Sequence, residues 1–254
     1  MSKVSAKYEQ SMSREQKAQR GATLYGLGVG PGDPDLISLK AVKILQSVPV
    51  IAFVQTADAP SFARRIVAPH LPLGQREVAL TMPMSLNRGD AQPAYDAAAA
   101  TIRTELSQGR DLAFLCEGDP FTYGSFMYLF GRLSGQVAVE VVPGITSVAA
   151  CAAAAGMPLA SRNDRLVLLP APLPDEKLRQ SLDLHEAVAL MKMGRHLGRV
   201  KRLLQEMQLL AQAVYIEYGS LPQQKIMPLQ SVREETAPYF SMILIHKRGQ
   251  AHVF

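Results

Sequence analysis

Apolar and polar residues alternate in blocks along this chain. Apolar, partly β-branched runs at 22–28, 48–54, 111–115 and 137–142 have the length and composition of buried strands. Between them the spacing of apolar positions predicts helices over 38–46, 60–68, 90–108 and 124–133. Strands alternating with helices imply a parallel sheet, which binds ligands at the carboxyl ends of its strands. An alanine-rich segment at 145–160 reads as a helix closed by Gly156-Met157-Pro158, and the polar stretch Ser161-Arg162-Asn163-Asp164 then marks a domain junction. Further strands at 165–170, 186–192, 212–217 and 240–247 surround a helix at 196–210, where Leu197, Val200, Leu203, Leu204 and Met207 share one face as core. The pattern predicts two α/β domains, 21–162 and 163–254. Residues 1–20, rich in Ser, Gln, Lys and Glu, are expected to be a mobile tail.

Three glycine-bearing segments fall at predicted strand ends. The first, Leu24-Tyr25-Gly26-Leu27-Gly28-Val29-Gly30-Pro31-Gly32-Asp33-Pro34-Asp35, leaves a run of backbone without side chains beside the first strand, so a ligand can approach closely. Its spacing fails the dinucleotide fingerprint, because Pro31 or Asp33 stands where a glycine is required. It fails the phosphate-loop pattern too, since no Gly-Lys-Ser or Gly-Lys-Thr follows. Asp33 and Asp35 would repel pyrophosphate but tolerate a cationic or neutral ligand, a constraint that the sulfonium of S-adenosylmethionine fits. The other two segments are Cys116-Glu117-Gly118-Asp119-Pro120-Phe121-Thr122-Tyr123-Gly124-Ser125 and Val142-Pro143-Gly144-Ile145-Thr146-Ser147. Each also suits a tight turn or a helix cap without any ligand.

These three segments, with Leu190-Met191-Lys192-Met193-Gly194 and Glu217-Tyr218-Gly219-Ser220, resemble the five cofactor segments of the tetrapyrrole (cobalamin-precorrin) methyltransferases over residues 22 to 248. The wording Leu115-Cys116-Glu117-Gly118-Asp119-Pro120, Met82-Pro83-Met84 and Ala91-Gln92-Pro93-Ala94-Tyr95-Asp96 is most similar to the family's precorrin-2 C20-methyltransferase branch. The resemblance implies a mostly parallel N-terminal sheet, a mixed C-terminal sheet and an active site in the cleft between the domains. It implies S-adenosylmethionine as cofactor, with S-adenosylhomocysteine as product, and a precorrin-2 or cobalt-precorrin-2 acceptor.

Carried over position by position, the cofactor residues are Gly28, Gly30, Pro31, Glu117, Gly118, Asp119, Thr122, Thr146, Ser147, Met193 and Gly219. Met193 is expected as an apolar cover for adenine, and Thr122 replaces an apolar residue of related enzymes. The acceptor's acetate and propionate groups call for cations, for which Arg88, Arg162, Lys192 and Arg195 are the candidates beside the motifs. Asp119, Tyr218 and Tyr239 are candidate bases, and the family suggests a homodimer. A ribosomal RNA methyltransferase of the same superfamily is the rival reading, but its Pro-Ile-Gly-Asn-Leu-type first loop is not found here. A regulator that senses the macrocycle without methylating it is the other.

Composition adds limits. Nearly half of the 254 residues are apolar, enough for a substantial core. No stretch approaches eighteen apolar residues and no secretory signal opens the chain, so a cytoplasmic protein without membrane partner is expected. The net charge of +5 suits an anionic partner, yet the basic residues are scattered, which argues against nucleic acid. Cys116 and Cys151 are too few for a disulfide framework and read as buried thiols. The five histidines show no metal-ligand spacing, so no catalytic metal is expected.

Overall fold

The computed structural model describes residues 21–57, 59–83 and 91–249. The tail expected over 1–20, and Arg88, lie outside the described residues. The chain divides into two compact units: the residues up to Gly30 with Ile37–Gly144, and Pro31–Leu36 with the residues from Ile145 onward.

The first unit is built on strands β1 (Thr23–Gly28), β2 (Val50–Gln55), β3 (Arg76–Thr81), β4 (Leu112–Cys116) and β5 (Ala138–Val142). They form one parallel sheet in the order β3-β2-β4-β1-β5. Helices α1 (Leu39–Ser47) and α2 (Phe62–Val67) follow β1 and β2, while α3 (Gln92–Ser107) and α4 (Phe126–Leu133) follow β3 and β4. Strand periodicity sorts β4 between two cores. Leu112, Phe114 and Cys116 join Ala98, Ile102 and Leu129 of α3 and α4. Ala113 and Leu115 join Ala41, Leu45 and Ile66 of α1 and α2. A strand covered on both faces must be apolar at every position, and β4 is buried throughout.

The sequence pattern passes over β3, a sheet edge. Its residues are mostly exposed, so no apolar run marks it. What holds its start is charge: Arg76 pairs with Glu105 of α3 at 3.0 Å, and Arg110 pairs with the same carboxylate.

The second unit holds helix α5 (Ser147–Ala154), β6 (Leu166–Pro170), α6 (Asp175–Leu184), β7 (Ala187–Met191), α7 (Leu197–Glu206), β8 (Ala213–Glu217), β9 (Lys225–Pro228) and β10 (Ser241–His246). The sheet order is β6-β7-β10-β8-β9, with β6 and β7 parallel and the other pairs antiparallel. β10, flanked on both sides, is buried along its whole length. Ile243 and Ile245 face the helices α6 and α7, whose Leu178, Leu182, Leu197, Val200, Leu203 and Leu204 fill that core. Met242 and Leu244 face Cys151 and Ala152 of α5.

One difference from the sequence reading has a physical cause. The unit changes at Gly144–Ile145 rather than at 162–163, because α5 buries its apolar residues on the second sheet. Helix α5 stops at Ala154, at the Gly156-Met157-Pro158 terminator that the sequence marks: Gly156 takes the left-handed conformation at φ 59°, and its N–H and that of Met157 satisfy the carbonyls of Ala153 and Ala152. The polar stretch 161–164 is a turn inside the second unit. Asp164 accepts from the Ser161 N–H at 2.9 Å, bonds Arg248 and faces the buried His246 Nε2 at 3.2 Å.

Candidate functional site

In the first unit three motif loops meet at the carboxyl end of the sheet. Past β1 and β4 the backbones of Gly30 and Gly118 exchange two hydrogen bonds, of 3.3 and 2.8 Å, and the Val29 N–H donates to the Cys116 carbonyl. Gly144, just beyond β5, packs against both loops. A methyl group built on Gly28 would lie 2.6 Å from Gly144 Cα and 2.8 Å from the Gly118 oxygen, so any side chain there collides with backbone. Gly118 itself takes φ 62°, a conformation that resists β-branched residues.

Two carboxylates border this junction and have different surroundings. Asp119 is committed to its neighbours: Oδ1 accepts the Phe121 N–H at 3.0 Å and the Thr122 hydroxyl at 3.0 Å, and Oδ2 accepts the Gly144 N–H at 3.1 Å. Thr122 therefore spends its hydroxyl on the loop. Glu117 keeps surface to solvent, yet lost hydration at its carboxyl pushes its pKa above the ordinary value, against the Ala63 N–H and the Arg65 charge that favour ionisation. Burial likewise pushes Cys151 up to about 11, and raises Cys116. Both are buried thiols.

The remaining sequence candidates belong to the second unit. Pro31 falls there with Gly32, whose place for a side chain is taken by Leu221 and by Ser220 Oγ. Thr146 caps α5, its hydroxyl accepting the Ala149 N–H at 3.4 Å, and Ser147 is the first helical residue. Gly219 lies against Cys151, where a methyl would meet Ile216 at 3.4 Å. Tyr218 and Tyr239 each approach the ring of Phe240, with centroids 6.4 and 5.1 Å away, and Tyr239 is largely exposed. Arg162, Lys192 and Arg195 are exposed, on the 161–164 turn, after β7 and in a short turn of 3-10 helix respectively.

Met193 requires a correction. It is fully buried, packed in the α6–α7 core, and its side chain offers no surface to an adenine ring. A methionine between β7 and α7 fills the core there, so at this position it is the backbone that can meet a ligand.

Two features escape the sequence reading. Gly144 is as much part of the glycine junction as Gly28 and Gly118, and its signal was present in Val142-Pro143-Gly144. Tyr123, Lys192, Tyr218 and Ser220 hold positive φ of 57°, 59°, 51° and 68°, a conformation unusual for residues with side chains. All four lie in motif segments, and residue type gives no sign of it. Among the described residues no cluster of three metal-ligating side chains occurs, and no helix is long and apolar enough to cross a membrane.

Comparison with known proteins follows the same outline. The model of the Tetrapyrrole (Corrin/Porphyrin) Methylases matches residues 23–232, and the chain belongs to that family. It is 36% identical over 230 residues to a precorrin-2 C(20)-methyltransferase of Sinorhizobium, covering 87% of this chain and 94% of that protein. It is 32% identical to a cobalt-precorrin-2 C(20)-methyltransferase of Salmonella typhimurium, covering 89% and 97%. The cobalamin biosynthesis protein CobIJ of Mycobacterium bovis is 36% identical over 88% of this chain, which spans 46%, about half, of that relative's length. Among solved structures, the cobalt precorrin-4 methyltransferase CbiF superposes with a TM-score of 0.68 at 23% identity, covering 90% of this chain and 96% of that one. The uroporphyrin-III C-methyltransferase of Thermus thermophilus complexed with S-adenosylhomocysteine gives 0.63 at 20%, covering 89% and 92%. These two likenesses establish the fold.

Proposed function

We propose that this protein transfers a methyl group from S-adenosylmethionine to C20 of precorrin-2, giving precorrin-3A for cobalamin biosynthesis. The observation that carries the reading is the junction of Gly28, Gly118 and Gly144, where a methyl on Gly28 or Gly144 would strike the backbone of a neighbouring loop, in a chain whose full-length relatives carry that activity in their names. The cofactor, when bound, supplies an electrophilic methyl on a sulfonium, open to displacement by an electron-rich carbon of the macrocycle.

The chain's own part is placement. Gly28, Gly30 and Gly118 are assigned to the cofactor by their motif positions, with Glu117, Asp119 and Thr122 around them, and the absence of a side chain at Gly28 and Gly144 lets the three loops close on one another. Pro31, Thr146, Ser147 and Gly219 are assigned to the cofactor by their motif positions, as is the backbone at Met193. Arg88, Arg162, Lys192 and Arg195 are assigned to the acceptor's carboxylates, and Tyr218 and Tyr239 remain candidate bases. Alignment of carbon, methyl and sulfur contributes on the order of 7–11 kcal/mol, so no covalent intermediate and no strong acid are required. We assign the protein to the cytoplasm and to a homodimer, for which sedimentation at micromolar concentration is the check; a monomer alone counts against the dimer.

The test is incubation of the purified protein with methyl-labelled S-adenosylmethionine and either precorrin-2 or its cobalt complex, with the product's label located by NMR. Label at C20 is expected. Label at another ring carbon, or none with either acceptor, overturns the assignment. The similarity to the Salmonella enzyme favours cobalt-precorrin-2 as the second reading, and the paired acceptors decide between them.

A further inference from the structure

Glycines meeting at a junction supply no side chain to hold it together. Gly28, Gly118 and Gly144 touch through backbone atoms alone, and the Gly30–Gly118 bonds join only the first loop to the second. The third loop needs its own tie. One side chain in the first unit provides it: Asp119 Oδ2 accepts the Gly144 N–H at 3.1 Å, across 25 residues of chain. The other oxygen is fixed by the Phe121 N–H and the Thr122 hydroxyl, both at 3.0 Å, which lock the carboxylate's orientation before it reaches Gly144. A carboxylate accepts up to about four hydrogen bonds, and three of the places here are taken by the protein.

We propose that Asp119 is a positioning residue: its carboxylate sets the spacing of the Gly118 and Gly144 loops that receive the cofactor, and it is not the base of the reaction. This rests on the methyltransferase reading. It also explains why Thr122 stands in place of an apolar residue, because its hydroxyl orients the carboxylate.

Asp119→Asn is nearly isosteric and separates the roles. The amide oxygen can still accept from Phe121 and Thr122, but the amide nitrogen then opposes the Gly144 N–H. Three measurements on the folded full-length variant test it: exchange of the Gly144 amide, S-adenosylhomocysteine affinity by calorimetry, and kcat and KM across pH. Expected are faster exchange at Gly144, affinity at least about tenfold weaker, a matching rise in KM for S-adenosylmethionine, and an acid limb of the pH profile at its wild-type position. Thr122→Val, which leaves the Gly144 bond in place, should keep Gly144 protection. Asp119→Ala should reproduce the loss, and its melting temperature shows whether it folds. A fall in kcat with wild-type affinity, wild-type Gly144 exchange and a lost acid limb would make Asp119 the base and overturn the proposal, as would unchanged Gly144 exchange in folded Asp119→Asn. Failure of the methyltransferase reading shows elsewhere, as wild-type protein that binds no S-adenosylhomocysteine.

Discussion

Gly28 and Gly118 are indispensable for different reasons. At Gly28 the obstacle is space, since backbone atoms of two other loops stand within 2.8 Å of any added methyl. At Gly118 the obstacle is conformation, φ 62°. Gly28→Ala should therefore push the loops apart, costing about 1–3 kcal/mol by overpacking, and weaken S-adenosylhomocysteine binding by at least about tenfold, roughly 1.4 kcal/mol. Gly118→Asn, a residue that tolerates left-handed backbone, should melt above Gly118→Val, where strain of about 1–3 kcal/mol adds to any steric block. Calorimetry and thermal melts on the same preparations check both; equal melting temperatures for the two Gly118 variants would show that conformation is not the constraint. The glycines were legible in the sequence because their spacing at strand ends is local information. What each one presses against was not, since Gly144 meets Gly28 only after β1 and β5 pair. Met193 failed for the converse reason: motif position says where the backbone runs, and burial decides which way the side chain turns.

Elements with a continuous apolar run or a helical stripe were readable, as β4 and α7 show. The edge strands β3 and β9 and the polar helix α6 were not, because few of their residues are buried and charge or partner strands define them. Glu105 of α3, the partner of Arg76 at the start of β3, shows how charge does so. Burial alone would raise its pKa, but hydrogen bonds and charge from Arg76 and Arg110 outweigh that and hold it below the ordinary value. A carboxylate whose folded pKa is lowered stabilises the fold above its unfolded pKa of about 4.3, and that stabilisation is lost as pH falls toward the folded value. Glu105→Gln should cost about 1–3 kcal/mol at pH 7, less than for a fully buried pair since both arginines keep solvent contact. The gap between wild type and variant should shrink below about pH 4. Urea melts at the two pH values check it, and a gap that is constant or widens in acid contradicts the ion-pair account.

At the scale of the whole molecule, charge gives a prediction that neither residue nor element supplies. The chain carries +5, and Lys3, Lys7, Arg14, Lys17 and Arg20 against Glu9 and Glu15 place much of that excess in its first twenty residues. The proposed acceptor is a polycarboxylate, whereas S-adenosylmethionine carries a small net positive charge. Long-range attraction should therefore favour encounter with the acceptor and not with the cofactor. The Debye length contracts from about 30 Å at 0.01 M salt to about 8 Å at 0.15 M, so screening separates the two substrates. Raising salt across that range should lower kcat/KM for the tetrapyrrole several-fold, on the order of tenfold at most, and leave kcat/KM for S-adenosylmethionine unchanged or slightly raised. Deleting residues 2–20 should flatten the salt dependence for the acceptor without altering kcat at saturation, because steering acts on encounter and not on the bound complex. If both substrates lose rate in parallel with salt, the effect is on folding or on the chemical step, and steering by net charge is wrong. A full-length protein and a truncated one with the same salt slope would place the attracting charges beyond residue 20, among cations such as Arg162, Lys192 and Arg195, and single substitutions there would then carry the slope.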